Sequence, residues 1–576
     1  MCGRYTQFLF GLLALWGGVH LNPQTLAPGD LPNRKDDMAS EQAAIEVQIQ
    51  EIARPADLRR PHSAQAIDGW TAAFMVLMGG CSVAYFYSTI VISIRAPLWM
   101  DEVMASWMAQ LHPPRMIWAA LLHGNMSSPP TYFYLLKFIA ALFGASKLAL
   151  RFPSIVAVYF AATAVFFLVR RRLALPYAAL AMALCLETGL FDYATQVREY
   201  ALVTACFALA VLLWDVRSEE RLSPWRITGI TLLLAACVSL HFYGVLLIPA
   251  FALMEVLWSI ANHRIRRGLW VGIILAGASI LIWYPLMRRI MSITGGYASS
   301  AKYFALPSIP RLLTAYADLA FSGKGMSVFC CFLLLLAAAF FWSQFRGEAF
   351  VVDRSGDDVN QAAINLEIIM LATVSIPLIV FLFAEVVTKT FNERYAIAGT
   401  LGFAMLVTLL ISCVRLGKVI SGVLLFASIF LLMAAPKRVL PSDHYGMQLL
   451  SSTGKAPIVV GEGLAFLELE AEAKPELRDR LVYLTVPAGE KSPDSTNEDL
   501  VKRWQRFRPA LKVEDPGYFL RANPHFFVLH TSQSTDVITP WLIRSGRLRA
   551  KWNLRDDRHD RDVWLLEVGP ESVPGD

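Results

Sequence analysis

Long apolar runs separated by short polar turns pattern this chain from Trp70 to Pro436. Membrane spans are predicted near 69–94, 154–170, 174–191, 199–214, 227–243, 245–261, 268–287, 326–345, 363–388, 395–414 and 418–435. Each has roughly the length that the ~30 Å hydrocarbon core of a bilayer asks of a helix. Between the first two lies LWMDEVMASWMAQLH, beginning at Leu98. Its Leu98, Met104, Met108 and Leu111 follow helical spacing, and Trp99, Trp107 and Trp118 suit a membrane interface. The expectation is an amphipathic helix lying on the membrane, with Asp101 and Glu102 at its N-terminal end. The segment 131–145 is short for a span and is expected to be re-entrant or interfacial.

After Pro436 the period changes. Apolar β-rich runs appear at 456–461, 481–486, 525–530 and 563–568, separated by amphipathic stretches near 497–508 and 538–552. That alternation predicts a small α/β domain. Residues 1–68 are polar and of mixed charge, and are expected to form a poorly ordered cytoplasmic extension. The opening MCGRY resembles the start of abasic-site-processing proteins, a five-residue match that nothing downstream extends.

Composition sharpens the class. Of 576 residues 56% are hydrophobic and 17% charged, against about 25% charged in soluble domains. The fold class is a polytopic α-helical membrane protein of about eleven spans plus interfacial helices, with a C-terminal soluble α/β domain. Its predicted parts are 1–68, a membrane domain 69–435 with its first outer loop at 95–153, and an outer domain 436–576. The net charge of +6 does not indicate nucleic acid, because the basic clusters sit in short turns between spans. Placing Arg170–Arg172, Arg217, Arg221, Arg226, His263, Arg264, Arg266, Arg267, Arg346, Arg415 and Lys418 in the cytoplasm satisfies the positive-inside rule. It puts the N-terminus inside and the α/β domain outside, as expected of a bacterial inner-membrane protein with a periplasmic domain. Cys81, Cys185, Cys206, Cys237, Cys330, Cys331 and Cys413 fall inside apolar segments without metal-type spacing, and only Cys2 lies outside, which argues for buried thiols.

This threading gathers polar residues on the outer face. Asp101, Glu102, His123 and Asn125 share it with the turn DYATQVREY, which carries Arg198, Glu199 and Tyr200. The turn HFYG adds His241 and Tyr243, and FNERY adds Glu393, Arg394 and Tyr395. Arginines outside need a local reason, and a bound anion supplies one. The plainer alternatives are ion pairs of Arg198 with Glu199 and of Arg394 with Glu393, and a merely hydrogen-bonding His241.

The ordered series resembles the GT-C superfamily of integral-membrane glycosyltransferases. It is similar to the protein O-mannosyltransferases, the aminoarabinose transferase of lipid A and their bacterial relatives. The resemblance is carried by LWMDEVMASWMAQ, HGNMSSPPTYFYLL, LALRFPSIVAV, VREYAL and ERY. It implies a polyprenyl-phosphate sugar donor and a lipid, glycan or protein acceptor at the bilayer surface, with no nucleic acid. It also implies Asp101 as the catalytic carboxylate with Glu102 beside it, and Arg394 and Arg198 on the donor phosphate. Asn125, Tyr200, His241, Tyr243 and Tyr395 are candidates for the substrate pocket. Relatives commonly carry an acid before the Pro-Pro pair. Here the run is Asn125-Met126-Ser127-Ser128, so a divalent cation stays open and no other cofactor is implied. The rival readings are a transporter or flippase of a lipid-linked saccharide and a non-catalytic envelope protein. Internal repeats expected of many transporters are not evident.

Overall fold

A computed structural model describes residues 69–215, 222–294, 306–321, 359–438, 450, 454–486, 495–531, 536, 538–544, 548–556 and 561–568. The extension 1–68 and the predicted span at 326–345 lie outside these. Every other predicted span meets a helix. Among the described residues six helices are long and apolar enough to cross a membrane: Gly69–Arg95, Lys147–Arg170, Phe242–Asn262, Arg267–Ile293, Asn365–Thr388 and Gly417–Lys437. Shorter apolar helices, among them Leu175–Glu187, Tyr200–Trp214, Pro224–Leu240 and Gly399–Ser412, pack between them. The 200–214 helix lies between the 147–170 and 224–240 helices, and the 175–187 helix touches the 147–170, 399–412 and 417–434 helices. Ala178, Ala179, Ala181 and Ala183 are buried along that central helix. Small side chains let backbones approach closely where lipid gives no hydrophobic drive for association. Gly402 serves the same end, since a Cβ there would stand 2.6 Å from the Val374 nitrogen.

The second span begins earlier than predicted. Ser146 caps the helix by accepting from the Ala149 N–H, and the helix continues through Pro153 to Arg170. Pro153, in the second turn of the helix, removes the backbone donor that would reach the Ala149 carbonyl. The helix then runs from the face holding Asp101 to the opposite face. There Arg171 and Arg172 pair with Asp215, and Arg266 pairs with Glu255 while stacking 3.7 Å over Trp258. The basic turns at 170–172 and 264–267 thus share one face.

The helix Pro130–Phe143 does not cross. Just before it, Ser128 bonds to Glu199, and just after it Lys147 pairs with Glu472 of the α/β domain. Midway, Lys137 donates to the Leu111 carbonyl at 2.6 Å. Both of its ends therefore lie on the Asp101 face.

The C-terminal region forms a six-stranded sheet in the order β3-β2-β1-β4-β6-β5. Its strands are β1 (Ile458–Val460), β2 (Leu481–Leu484), β3 (Val513–Glu514), β4 (Phe526–Thr531), β5 (Leu548–Asp556) and β6 (Arg561–Val568). The first four run parallel, with Val459 opposite both Val482 and Val528, and β6 pairs antiparallel with β4 and β5. Predicted as part of an amphipathic stretch, 548–552 is strand. It pairs with β6 in a hairpin whose register shifts between Leu548 and Ala550. Open α/β sheets often take ligands where strand order reverses, here between β1 and β4. Asp536 fills that crevice. Its carboxylate lies against Gly461, accepts from the Thr539 N–H and hydroxyl, and bonds to His530 Nδ1 at 2.6 Å.

This domain sits on the helix Met100–Gln110. Trp504 meets Trp107 edge-on at 5.2 Å, and Arg508 lies 4.5 Å over the same ring. Residues Glu102 to Ala109 are consequently buried. The helix is not the membrane-surface amphipath its spacing predicts. Its second face, polar enough to suggest water, is covered by protein.

Candidate active site

Successive helix residues point about 100° apart, and the two adjacent acids use that to face different partners. Glu102 turns inward and is 0% exposed. It accepts from Arg151 Nε at 2.8 Å and Nη2 at 2.6 Å, from the Val197 N–H at 2.7 Å and from the Trp99 N–H at 3.3 Å. Arg151 spends its remaining donors on the carbonyls of Ser93, Ala96 and Pro97, each at 3.0 Å. This clamp joins the end of the 69–95 helix, the start of the 100–110 helix, the 147–170 helix and the turn before Tyr200. Nothing in it leaves Glu102 turned toward a substrate, so its place is structural, in contrast to the catalytic pairing implied by resemblance.

Asp101 faces the other way and keeps 13% of its side chain exposed. Arg198 pairs with its Oδ2, and Arg394 Nη1 approaches the same oxygen at 3.3 Å. Arg198 comes from the turn before the 200–214 helix and Arg394 from a short 3₁₀ turn, Glu393–Ala396. Asn392 caps that turn by accepting from the Arg394 N–H. Arg198 is buried, lies 5.0 Å from the Tyr200 ring and donates to the Tyr200 hydroxyl at 2.8 Å. Arg394 is a quarter exposed and is the freer of the two cations.

Glu199 is 1% exposed beneath this pair. Its Oε1 accepts from the Ser128 hydroxyl at 2.7 Å, and its Oε2 stands 3.7 Å from Arg198 Nε. The Arg198–Glu199 ion pair, the plainer alternative for Arg198, therefore exists alongside the Asp101 contact. Burial alone would raise the Glu199 pKa, but Arg198, then His241 and Ser128, outweigh it and hold it below the usual carboxylate value.

His241 occupies the turn between the 224–240 helix and the next span. Gly244 makes that turn possible, because a Cβ there would strike the Cys237 carbonyl. Burial pushes the imidazole down to about 4, even though Glu199 favours its charged form. It is neutral, and its Nδ1 accepts from the Tyr243 N–H at 3.1 Å. The proton therefore resides on Nε2, 3.5 Å from Glu199 Oε1.

Tyr243 and Tyr395 stack at 3.9 Å and 7°, and His241 and Tyr200 lean on them within 6.3 Å. Together with Arg394, Val203 and Thr204 these rings line a small cleft of about 20 Å³. As it stands the space holds about one water, and its lining combines aromatic faces with a guanidinium, the groups that a sugar ring and an anion would meet. Asn125 is buried with both amide atoms unpartnered. His123 meets Phe507 edge-on at 5.6 Å, and Arg289 donates to the Leu122 carbonyl. Among the described residues no group of three or more His, Cys, Asp or Glu side chains is placed to hold a metal. Asp101 is already shared by two guanidinium groups, and Asn125 would bring an oxygen without charge.

Residues 127–284 match the family model for dolichyl-phosphate-mannose-protein mannosyltransferase. That segment holds Arg151, Arg198, Glu199, Tyr200, His241 and Tyr243, while Asp101, Arg394 and Tyr395 lie beyond it. The fold is similar to that of ArnT from Cupriavidus metallidurans in the apo state. The TM-score is 0.53 at 12% identity, covering 87% of this chain and 99% of that one. Against the same protein bound to undecaprenyl phosphate the TM-score is 0.52 at 11% identity, covering 87% and 98%. No curated protein sequence matches the chain. The chain thus shares the fold of ArnT, has helices long and apolar enough to cross a membrane, and carries a segment similar to the mannosyltransferase family through the middle of its site.

Proposed function

We propose that this protein transfers a hexosyl or pentosyl unit from a polyprenyl-phosphate donor to an acceptor hydroxyl, at the periplasmic face of a bacterial inner membrane. The observation that carries the proposal is the meeting of Asp101, Arg198 and Arg394, from three separate turns, beside an aromatic cleft. The similarity to a protein seen with undecaprenyl phosphate supports the choice of donor.

The two arginines explain how charge is managed. In the resting site they neutralise Asp101. A donor phosphate competes for them, and the more exposed Arg394 is the one positioned to be drawn away first. Asp101 is then free to accept a hydrogen bond from the acceptor hydroxyl. As the acceptor oxygen bonds to the anomeric carbon, its proton passes to Asp101. The carbon–oxygen bond to phosphate breaks, and its electron pair stays with the phosphate. Negative charge thus leaves the carboxylate as it grows on the phosphate, and the guanidinium groups can follow it from one to the other. A single displacement of this kind inverts the anomeric centre, through an oxocarbenium-like state. Tyr200, His241, Tyr243 and Tyr395 form the wall of the sugar pocket, while Asn125, buried, is not among the residues that line it. The lipid, glycan or protein nature of the acceptor is left to the assay.

The test is sugar release from radiolabelled polyprenyl-phosphate donor by purified protein with candidate acceptors. Removing a general base costs about 10²–10⁴-fold, so Asp101→Asn should lose transfer at that level while folding normally. Near-normal turnover in that variant rejects the mechanism, and retained anomeric configuration in the product rejects inversion.

A further inference from the structure

The first N–H groups of a helix have no partner within it. At the helix that bears Asp101, carboxylates take the N–H of its first residue, Met100, and those of the two residues just before it. Leu98 N–H donates to Glu472 Oε1 at 2.9 Å, Trp99 N–H to Glu102 Oε2 at 3.3 Å, and Met100 N–H to Glu468 Oε1 at 2.7 Å. Glu102 belongs to the helix itself. Glu468 and Glu472 come from the α/β domain, one turn apart on the helix Gly463–Glu472, so both fall on one face. Glu472 also pairs with Lys147 at 2.6 Å, at the start of the helix that carries Arg151.

This is a costly way to dock a domain. Glu468 is 5% exposed, and a carboxylate that buried needs charged or hydrogen-bonding partners. Apolar contacts such as Trp504 on Trp107 already hold the domain down. The carboxylates add direction: each fixes a backbone position within three residues of Asp101, and negative charge at that end favours the helix dipole.

We propose that Glu468 and Glu472 are positioning residues, through which the α/β domain sets where the Asp101 carboxylate stands between Arg198 and Arg394. The proposal rests on the reading of Asp101 as general base. A misplacement of about 1 Å in a reacting group can cost on the order of 10²-fold, so the domain is a working part of the site.

The test uses the full chain with Glu468→Ala and Glu468→Gln. Glu468→Ala should lower kcat tenfold to a hundredfold, with donor KM and undecaprenyl-phosphate affinity changed less than about twofold. Glu468→Gln keeps an acceptor oxygen and should restore most of the rate. Hydrogen exchange at the amides of 98–101 should quicken in the alanine variant and stay slow in the glutamine variant. If the alanine variant does not fold, Glu472→Ala, which leaves the Met100 contact in place, is read in the same way. A kcat within twofold of the parent, or unchanged exchange at 98–101, overturns the proposal. If the parent transfers no sugar from any donor, the glycosyl-transfer reading falls instead, and exchange alone decides whether the domain holds this turn.

Discussion

Replacing Arg151 with Leu tests whether Glu102 is held as a structural anchor. The substitution strips Glu102 of two of its four donors and leaves the Ser93, Ala96 and Pro97 carbonyls without the guanidinium. Removing one partner of a buried ion pair costs about 3–5 kcal/mol, because the other charge remains desolvated. With both side chains almost fully covered, solvent cannot relieve that cost. The assay is unfolding by denaturing detergent in mixed micelles, run on the parent, Arg151→Leu, Glu102→Gln and the double variant. Gln keeps an oxygen for the Val197 and Trp99 N–H groups while removing the charge. The double variant should therefore regain part of the stability, with a coupling of about 2–3 kcal/mol. It should also retain measurable sugar transfer, where Asp101→Asn does not. Destabilisation below about 1 kcal/mol in Arg151→Leu, or strictly additive single effects, would refute the clamp.

Arg394→Gln should raise donor KM by about 10–100-fold, the equivalent of losing one hydrogen bond to a charged group at roughly 1.5–3 kcal/mol. Steady-state kinetics at varied donor check it, and an unchanged KM removes Arg394 from the phosphate site. For His241 the folded pKa of about 4 lies below the ordinary 6.5, so folding favours the neutral ring. Its contribution is complete above about pH 6.5 and is lost as pH falls toward 4, where protonation is resisted by burial and by Arg198 and Arg394. The parent's pH–rate profile should show no His241 limb between pH 6 and 8, and His241→Asn should soften the acid loss near pH 4. A limb near 6.5 that vanishes in His241→Asn would refute this.

The spans were legible because lipid enforces long apolar runs whose length and flanking charge can be counted. Even the flat course of 130–143 followed from the same reasoning, since letting it cross would have moved the Arg170–Arg172 cluster to the other face. Packing against other protein was less legible. The 100–110 helix carries Met104 and Met108 at helical spacing as a surface helix would, and nothing local reveals that Trp504 and Arg508 cover its other side. β3, only Val513–Glu514, carries too few residues to announce a strand.

The site was legible wherever one residue type alone was anomalous. Outer arginines at 198 and 394 demanded an anion, and the structure brings both to Asp101. What the pattern hid was how the two acids divide the cations, because Glu102 and Arg151 are 49 residues apart. A signal was nevertheless present. Arg151 opens LALRFPSIVAV with no acid nearby, and an ionisable residue at a membrane edge needs a partner. Of the adjacent acids only one can face it, since neighbouring helix positions diverge by about 100°. Assigning Arg151 to either acid leaves the other for Arg198 and Arg394. The choice between them follows from the Trp99 N–H: a carboxylate three residues on, at Glu102, can reach back to cap it, and Asp101 is one residue too early. The capping acid is thereby turned inward and the other outward, toward the cleft.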